Sequence, residues 1–164
     1  MYSVKKVKTF RGMEGHGYNA DLYRDGKKIA FVMEEGCGGE PTFEWEDHSK
    51  PQVDINIIGH NDQPITYQGT PEEKLFVELA NSQSYTFFGH TGRKNGAILM
   101  DDILENFKLK KTCKTKTAFR LTTDGEDSYH VIKESFSPDL RAWLVQEHGA
   151  DLIEIINERP EMQD

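Results

Sequence analysis

Apolar and polar residues alternate over roughly the first quarter of the chain and recur at helical spacing further on, so the pattern predicts strands first and helices later. "VKKVKTF" reads as a strand. In "GYNADLYRDGKKIAFVME", Ala20, Leu22 and Arg24 alternate against Asn19, Asp21 and Tyr23. Asp25-Gly26 then turns the chain, and Ile29 to Met33 returns. Asp-Gly between two β-rich runs signals a hairpin, because both turn positions tolerate positive φ. "PTFEWED" gives a third short strand, with Phe43 and Trp45 on one face by period-two spacing.

The middle is less regular. "VDINIIG" is a strand or an irregular apolar segment, and "HNDQPITYQG" a loop by composition. Thr70, Pro71 and Glu73 then form the capping box of a helix ending near Asn81, with Leu75, Phe76 and Leu79 on one stripe. "GHTGRKNG" reads as a glycine-bearing loop. A second helix is predicted over 97–110, with Ile98, Ile103, Leu104 and Phe107 at helical spacing. Asp101 and Asp102 lie in its first turn and lysines at its end, which suits the macrodipole. "KTAFRLTT" is a strand, "DGED" a turn and "SYHVIKES" a strand. Ser137 and Pro138 open a third helix that runs to His148 with Gly149 as its cap. "DLIEIINE" reads more as a strand than as a short helix, and the tail 159–164 as frayed. These elements predict one α+β domain over 1–164. Its sheet is mostly antiparallel, an N-terminal β-meander plus a later hairpin, packed with about three helices. Whether the two hairpins share one sheet is not set by the pattern.

Length and composition agree with this picture. A chain of 164 residues buries a core without staples. Two cysteines, Cys37 and Cys113, are too few for a disulfide framework and suit a reducing compartment. No apolar run approaches the roughly 20 residues of a membrane helix, and the N-terminus has no apolar signal-like stretch. The expectation is therefore a cytoplasmic protein with no membrane partner. The net charge of −8 is uneven: residues 1–123 carry 17 basic and 17 acidic residues, and 124–164 carry 3 and 11. That balance disfavours duplex nucleic acid as a partner. Lys108, Lys110, Lys111, Lys114 and Lys116 form a run without acids that can attract phosphate groups.

The candidate chemistry is sparse. "EGHGYN" and "EEGCGGE" fall at the open end of the first hairpin, so topology places them side by side. His16, Tyr18, Gly38 and Gly39 there can shape a rim for a ligand, with Tyr18 offering a ring for stacking. Neither loop has a P-loop ending or a dinucleotide fingerprint, and Glu14, Glu34, Glu35 and Glu40 oppose phosphate. The charge for an anion must come from elsewhere. His90, Arg93 and Lys94 precede a helix whose first amides point outwards, which suits a phosphate. No two histidines have linear metal-ligand spacing, no paired H-x-(Thr/Ser) motif occurs, and no G-x-S-x-G elbow is present. No metal and no cofactor is expected, and no catalytic residue is assigned.

The segments "GYNADLYRDGKKIAFVMEEGCGGE…FEW" and "KTAFRL…YHVIKESFSPDLRAWL" resemble small uncharacterised bacteriophage-encoded proteins. The resemblance covers about half the chain, rests on overall pattern and carries no site residues. It implies an accessory protein acting in the host bacterial cytoplasm, including one that counters host immunity. The expected function is a non-enzymatic sponge for a phosphorylated, nucleotide-like signal, with self-association left open. The alternatives are a small hydrolase using His16 or His90, and an acidic protein-binding inhibitor.

Overall fold

The computed structural model describes residues 1–59, 62–87, 89–125 and 128–162. The protein is α+β, and every strand pair among the described residues is antiparallel. The chain divides into two compact units, Met1–Leu104 and Glu105–Asp164.

The first unit begins with the predicted meander. β1 (Tyr2–Arg11), β2 (His16–Arg24), β3 (Lys27–Glu34) and β4 (Thr42–Trp45) lie side by side in chain order. Asp25 and Gly26 have φ of 51° and 81°, so the turn takes the primed form that matches strand twist. Ala20, Leu22, Ala30 and Val32 are buried on one face. On the other, Asp21 is buried between Lys6 (3.0 Å) and Lys28 (3.1 Å). A bulge in β1, where Lys6 has φ 52°, accompanies that contact.

α1 (Pro71–Asn81) has the predicted capping box: the Thr70 hydroxyl accepts from the Glu73 amide and the Glu73 carboxylate accepts from the Thr70 amide. Its inward stripe differs from the expected one. Glu72, Phe76 and Ala80 are buried, whereas Leu75 and Leu79 are 48% and 39% exposed. The Arg24 guanidinium donates to both oxygens of Glu72 at 2.9 Å, which draws that residue inward and turns the leucines out. Phe43 and Trp45 stack at 5.3 Å and both meet the fully buried Phe76 ring.

Two hairpins replace predicted loops. β5 (Val53–Ile58) pairs with β6 (Pro64–Gly69), so the second half of "HNDQPITYQG" is a strand; His60 and Asn61 lie outside the described residues. β7 (Ser84–Phe87) pairs with β8 (His90–Arg93), so most of "HTGRKNG" is extended as well. Both ladders are largely exposed, and residues chosen for a wet surface read as loop. α2 (Gly96–Cys113) starts at Gly96, which puts Asp101 and Asp102 beyond its first turn.

In the second unit β9 (Thr117–Leu121) lies between β10 (His130–Ile132) and β11 (Leu152–Ile155). The two hairpins therefore belong to different sheets. Ala118 packs with Leu109 of α2 and with Ile156, and Phe119 packs with Leu144 of α3 (Pro138–His148) and Ile155. Successive β9 residues thus face opposite layers. Ser137 and Gly149 cap α3 as expected. "DLIEIINE" is half strand and half 3-10 turn, since Ile156–Glu158 follows β11 directly. The tail is not frayed as far as Met162: Pro160–Met162 forms a further turn, and Met162 packs against the Leu109 cluster. Within "DGED", Glu126 and Asp127 lie outside the described residues.

Candidate functional site

The two N-terminal glycine loops do meet. The Glu14 amide donates to the Gly36 carbonyl at 2.8 Å, and a Cβ on Gly12 would stand 2.5 Å from the carbonyl oxygens of Glu35 and Gly36. The glycines serve contact of backbone on backbone, which closes the loops on each other instead of opening a rim. Tyr18 is buried beneath them at 9% exposure, so its ring is not available for stacking. Its hydroxyl has no hydrogen-bond partner among the described residues, and burial, with Asp101 and Glu34 nearby, pushes its pKa up. Gly38 faces the Glu14 carboxylate, Gly39 lies in open space, and His16 is exposed at the start of β2.

The region expected to hold phosphate is already supplied with the protein's own acids. Lys94 pairs with Asp102. Asn95 caps α2, its side-chain oxygen accepting from the Ile98 amide at 2.9 Å, and its amide nitrogen donates to Glu40 at 2.9 Å. A carboxylate therefore already stands at this helix N-terminus, where an incoming anion would be repelled. Arg93 and His90 are exposed on β8.

A cavity of about 220 Å³ in the second unit offers a better anion site. Arg120 from β9 and Arg159 from the segment after β11 both line it, and Glu154 of β11 bonds with each of them. Arg159 is fully engaged: its Nε donates to Glu154 Oε2 at 3.0 Å and a terminal nitrogen donates to Oε1. Those bonds, against partial burial, hold the Glu154 carboxyl below its ordinary range. Arg120 is loosely held. Its terminal nitrogens reach Glu154 Oε1 at 3.4 Å and the Gly125 carbonyl at 3.3 Å, and its buried Nε has no protein acceptor among the described residues. Both distances lie beyond the usual N–H···O range. Two guanidiniums thus share Glu154, with Asp124 close enough to Arg120, and Glu161 to Arg159, to interact electrostatically, and of the two arginines Arg120 is the less tightly bonded.

Leu109 and Ile156 give the cavity an apolar wall, and Ser128 and Tyr129 bring hydroxyls. Glu105, also on its border, is paired with Lys108 at 2.5 Å. A guanidinium fork in partly desolvated surroundings suits a phosphate or carboxylate, because its two N–H groups match two anionic oxygens. Neither arginine was nominated by the sequence. The available signals are an arginine between the apolar Phe119 and Leu121 of a strand, and Arg159 in the C-terminal tail.

A second cavity of about 230 Å³ lies in the first unit, beside Lys27, Lys28, Lys50, Glu46 and Asp47. Its lysines are largely answered: Lys28 by Asp21 and Glu46, and Lys50 by Asp47 at 3.8 Å. Among the histidines, His130 meets a carboxylate, with Nε2 3.0 Å from Asp124 Oδ1, and it stacks on Phe119 at 5.2 Å. The bond that Asp124 accepts from the Leu121 amide, with help from His130, keeps its carboxyl low. Because His130 sits on Phe119, this pair is on the face of the sheet opposite Arg120.

Among the described residues no helix is long and apolar enough to cross a membrane. No protein-family model, curated protein or solved structure matches the chain.

Proposed function

We propose that the chain is a non-enzymatic ligand-binding protein whose second unit holds a phosphorylated small molecule. One observation carries the reading: a partly buried guanidinium, Arg120, lines a cavity and, among the described residues, makes only long bonds to protein acceptors. The lining supplies charge, hydroxyls and an apolar wall, which is equipment for holding a ligand. The His130–Asp124 pair, the nearest thing to a general base among the described residues, faces the other side of the sheet. With the bacteriophage-like pattern of the sequence, this supports sequestration of a nucleotide-like signal in a host bacterial cytoplasm.

Isothermal titration of the full chain against nucleoside phosphates, cyclic dinucleotides and ADP-ribose derivatives tests it. Binding is expected, and Arg120→Ala is expected to weaken it tenfold or more, since a charge-assisted bond contributes about 1.5–3 kcal/mol. Heat-released ligand is expected unaltered by mass spectrometry. Failure of every compound to bind would sink the proposal. Altered ligand, with turnover lost in His130→Ala, would favour a hydrolase built on the His130–Asp124 pair.

A further inference from the structure

Resting on that reading of the pocket, we infer that it selects a compact phosphate monoester with one flat or apolar group, and discriminates against cyclic dinucleotides. The first reason is charge. Arg159 has both its side-on donors committed to Glu154, so it frames the site and is not free to grip a ligand. That leaves the terminal nitrogens of Arg120 as the hand that grips, and one fork matches one phosphate. A second phosphate in the same cavity would meet Glu105 or Glu154 without a guanidinium of its own. The second reason is size. About 220 Å³ lies below the roughly 300–1,000 Å³ of sites that take drug-sized ligands. A dinucleotide brings two bases, two sugars and two phosphates, whereas a phosphate on a single ring system is far smaller. The third reason is the wall. Leu109 and Ile156 are themselves buried, at 9% and 1% exposure, and the partly buried Tyr129 packed on them is the apolar surface that faces the same cavity as the fork. The body of a monoester covers it while its phosphate reaches Arg120. Ser128 and Tyr129 also line the cavity and carry the hydroxyls available there for sugar or phosphate oxygens.

The test titrates the full-length protein with inorganic phosphate, phenyl phosphate, a nucleoside 5′-monophosphate and a cyclic dinucleotide at one ionic strength. The two monoesters are expected to bind and to be displaced by excess inorganic phosphate. The cyclic dinucleotide is expected to bind roughly tenfold more weakly or worse, a difference of about 1.4 kcal/mol. Arg120→Ala should weaken monoester binding tenfold or more, and Arg120→Lys, which keeps the charge and loses the fork, should fall between. Ser128→Trp fills the cavity from an exposed position and should also block binding, so the prediction survives a poorly folded Arg120→Ala protein. If the cyclic dinucleotide binds as tightly as the monoesters and Arg120→Ala removes it, the size and charge selection is wrong while the pocket stands. If monoesters bind equally well to Ser128→Trp and both Arg120 variants, the pocket itself is wrong. If no compound binds, both fall.

Discussion

At the scale of single residues, the glycines show how one residue type plays different parts within a few positions. Gly12 has no room for a methyl group, because backbone oxygens stand 2.5 Å from where it would go. Gly39 has nothing within 4 Å. Gly12→Ala is expected to destabilise by roughly 1–3 kcal/mol through overpacking. Gly39→Ala should stay within about 0.5 kcal/mol, as an unconstrained surface change does. Urea midpoints of the two variants check this, and equal loss would mean the loops do not clasp. The sequence showed that glycines were dense here and that the loops were neighbours. It did not show that they close on each other, since the fit depends on the register of β1 with β2. Glu154 carries the second prediction. Its folded carboxyl is held low, so its contribution is fully present above the ordinary value of 4.5 and is lost as pH falls through the folded value. The stability gap between the natural protein and Glu154→Gln should be widest near neutrality and shrink below 4.5. A gap constant over that range would show that the charge of Glu154 does not hold the arginines.

At the scale of elements, legibility followed local chemistry. Both capped helices begin where Thr70 and Ser137 predict, because a cap is written in three or four adjacent residues. The exposed hairpins of β5–β6 and β7–β8 were not legible, because their stabilisation comes from cross-strand pairs such as the Thr86 and Thr91 hydroxyls, 3.2 Å apart. The inward face of α1 differs from its apolar stripe for a similar reason: the Arg24–Glu72 pair joins residues 48 apart in sequence. Asn157 is the strongest such case. Its side chain accepts from the Ala118 amide at 2.8 Å and donates to the Cys113 and Lys116 carbonyls at 3.2 and 2.9 Å. One buried amide therefore ties the end of α2, the start of β9 and the C-terminal turn. Asn157→Ala should cost about 2–4 kcal/mol, because removing it strips partners from buried backbone groups. Asn157→Asp keeps an acceptor for Ala118 but sets a carboxylate oxygen against two carbonyls, and should be no better. Denaturant unfolding checks both, and a loss below about 0.5 kcal/mol would mean solvent replaces the bonds.

At the scale of the whole molecule, composition pointed to a charged protein with a neutral first part and an acidic end. The pocket takes most of its lining from the acidic end, yet its charge comes from arginines that composition did not single out. It is not in the lysine run, and its two arginines, 39 positions apart by number, meet only because β11 pairs with β9 and the following turn folds back. This predicts where a ligand will be felt. Saturating a nucleoside monophosphate should slow amide hydrogen exchange in 117–125 and 152–162, since ordering Arg120 and Arg159 holds the strand pair and the terminal turn together. Exchange in the meander of 2–45 should not change, because no element there lines the cavity. The opposite pattern, protection of the glycine loops around Gly36 and of the segment 90–96 with none at Arg120 or Arg159, would return the site to the residues nominated by sequence. It would then have to act by displacing Glu40 and Asp102, the carboxylates paired with Asn95 and Lys94.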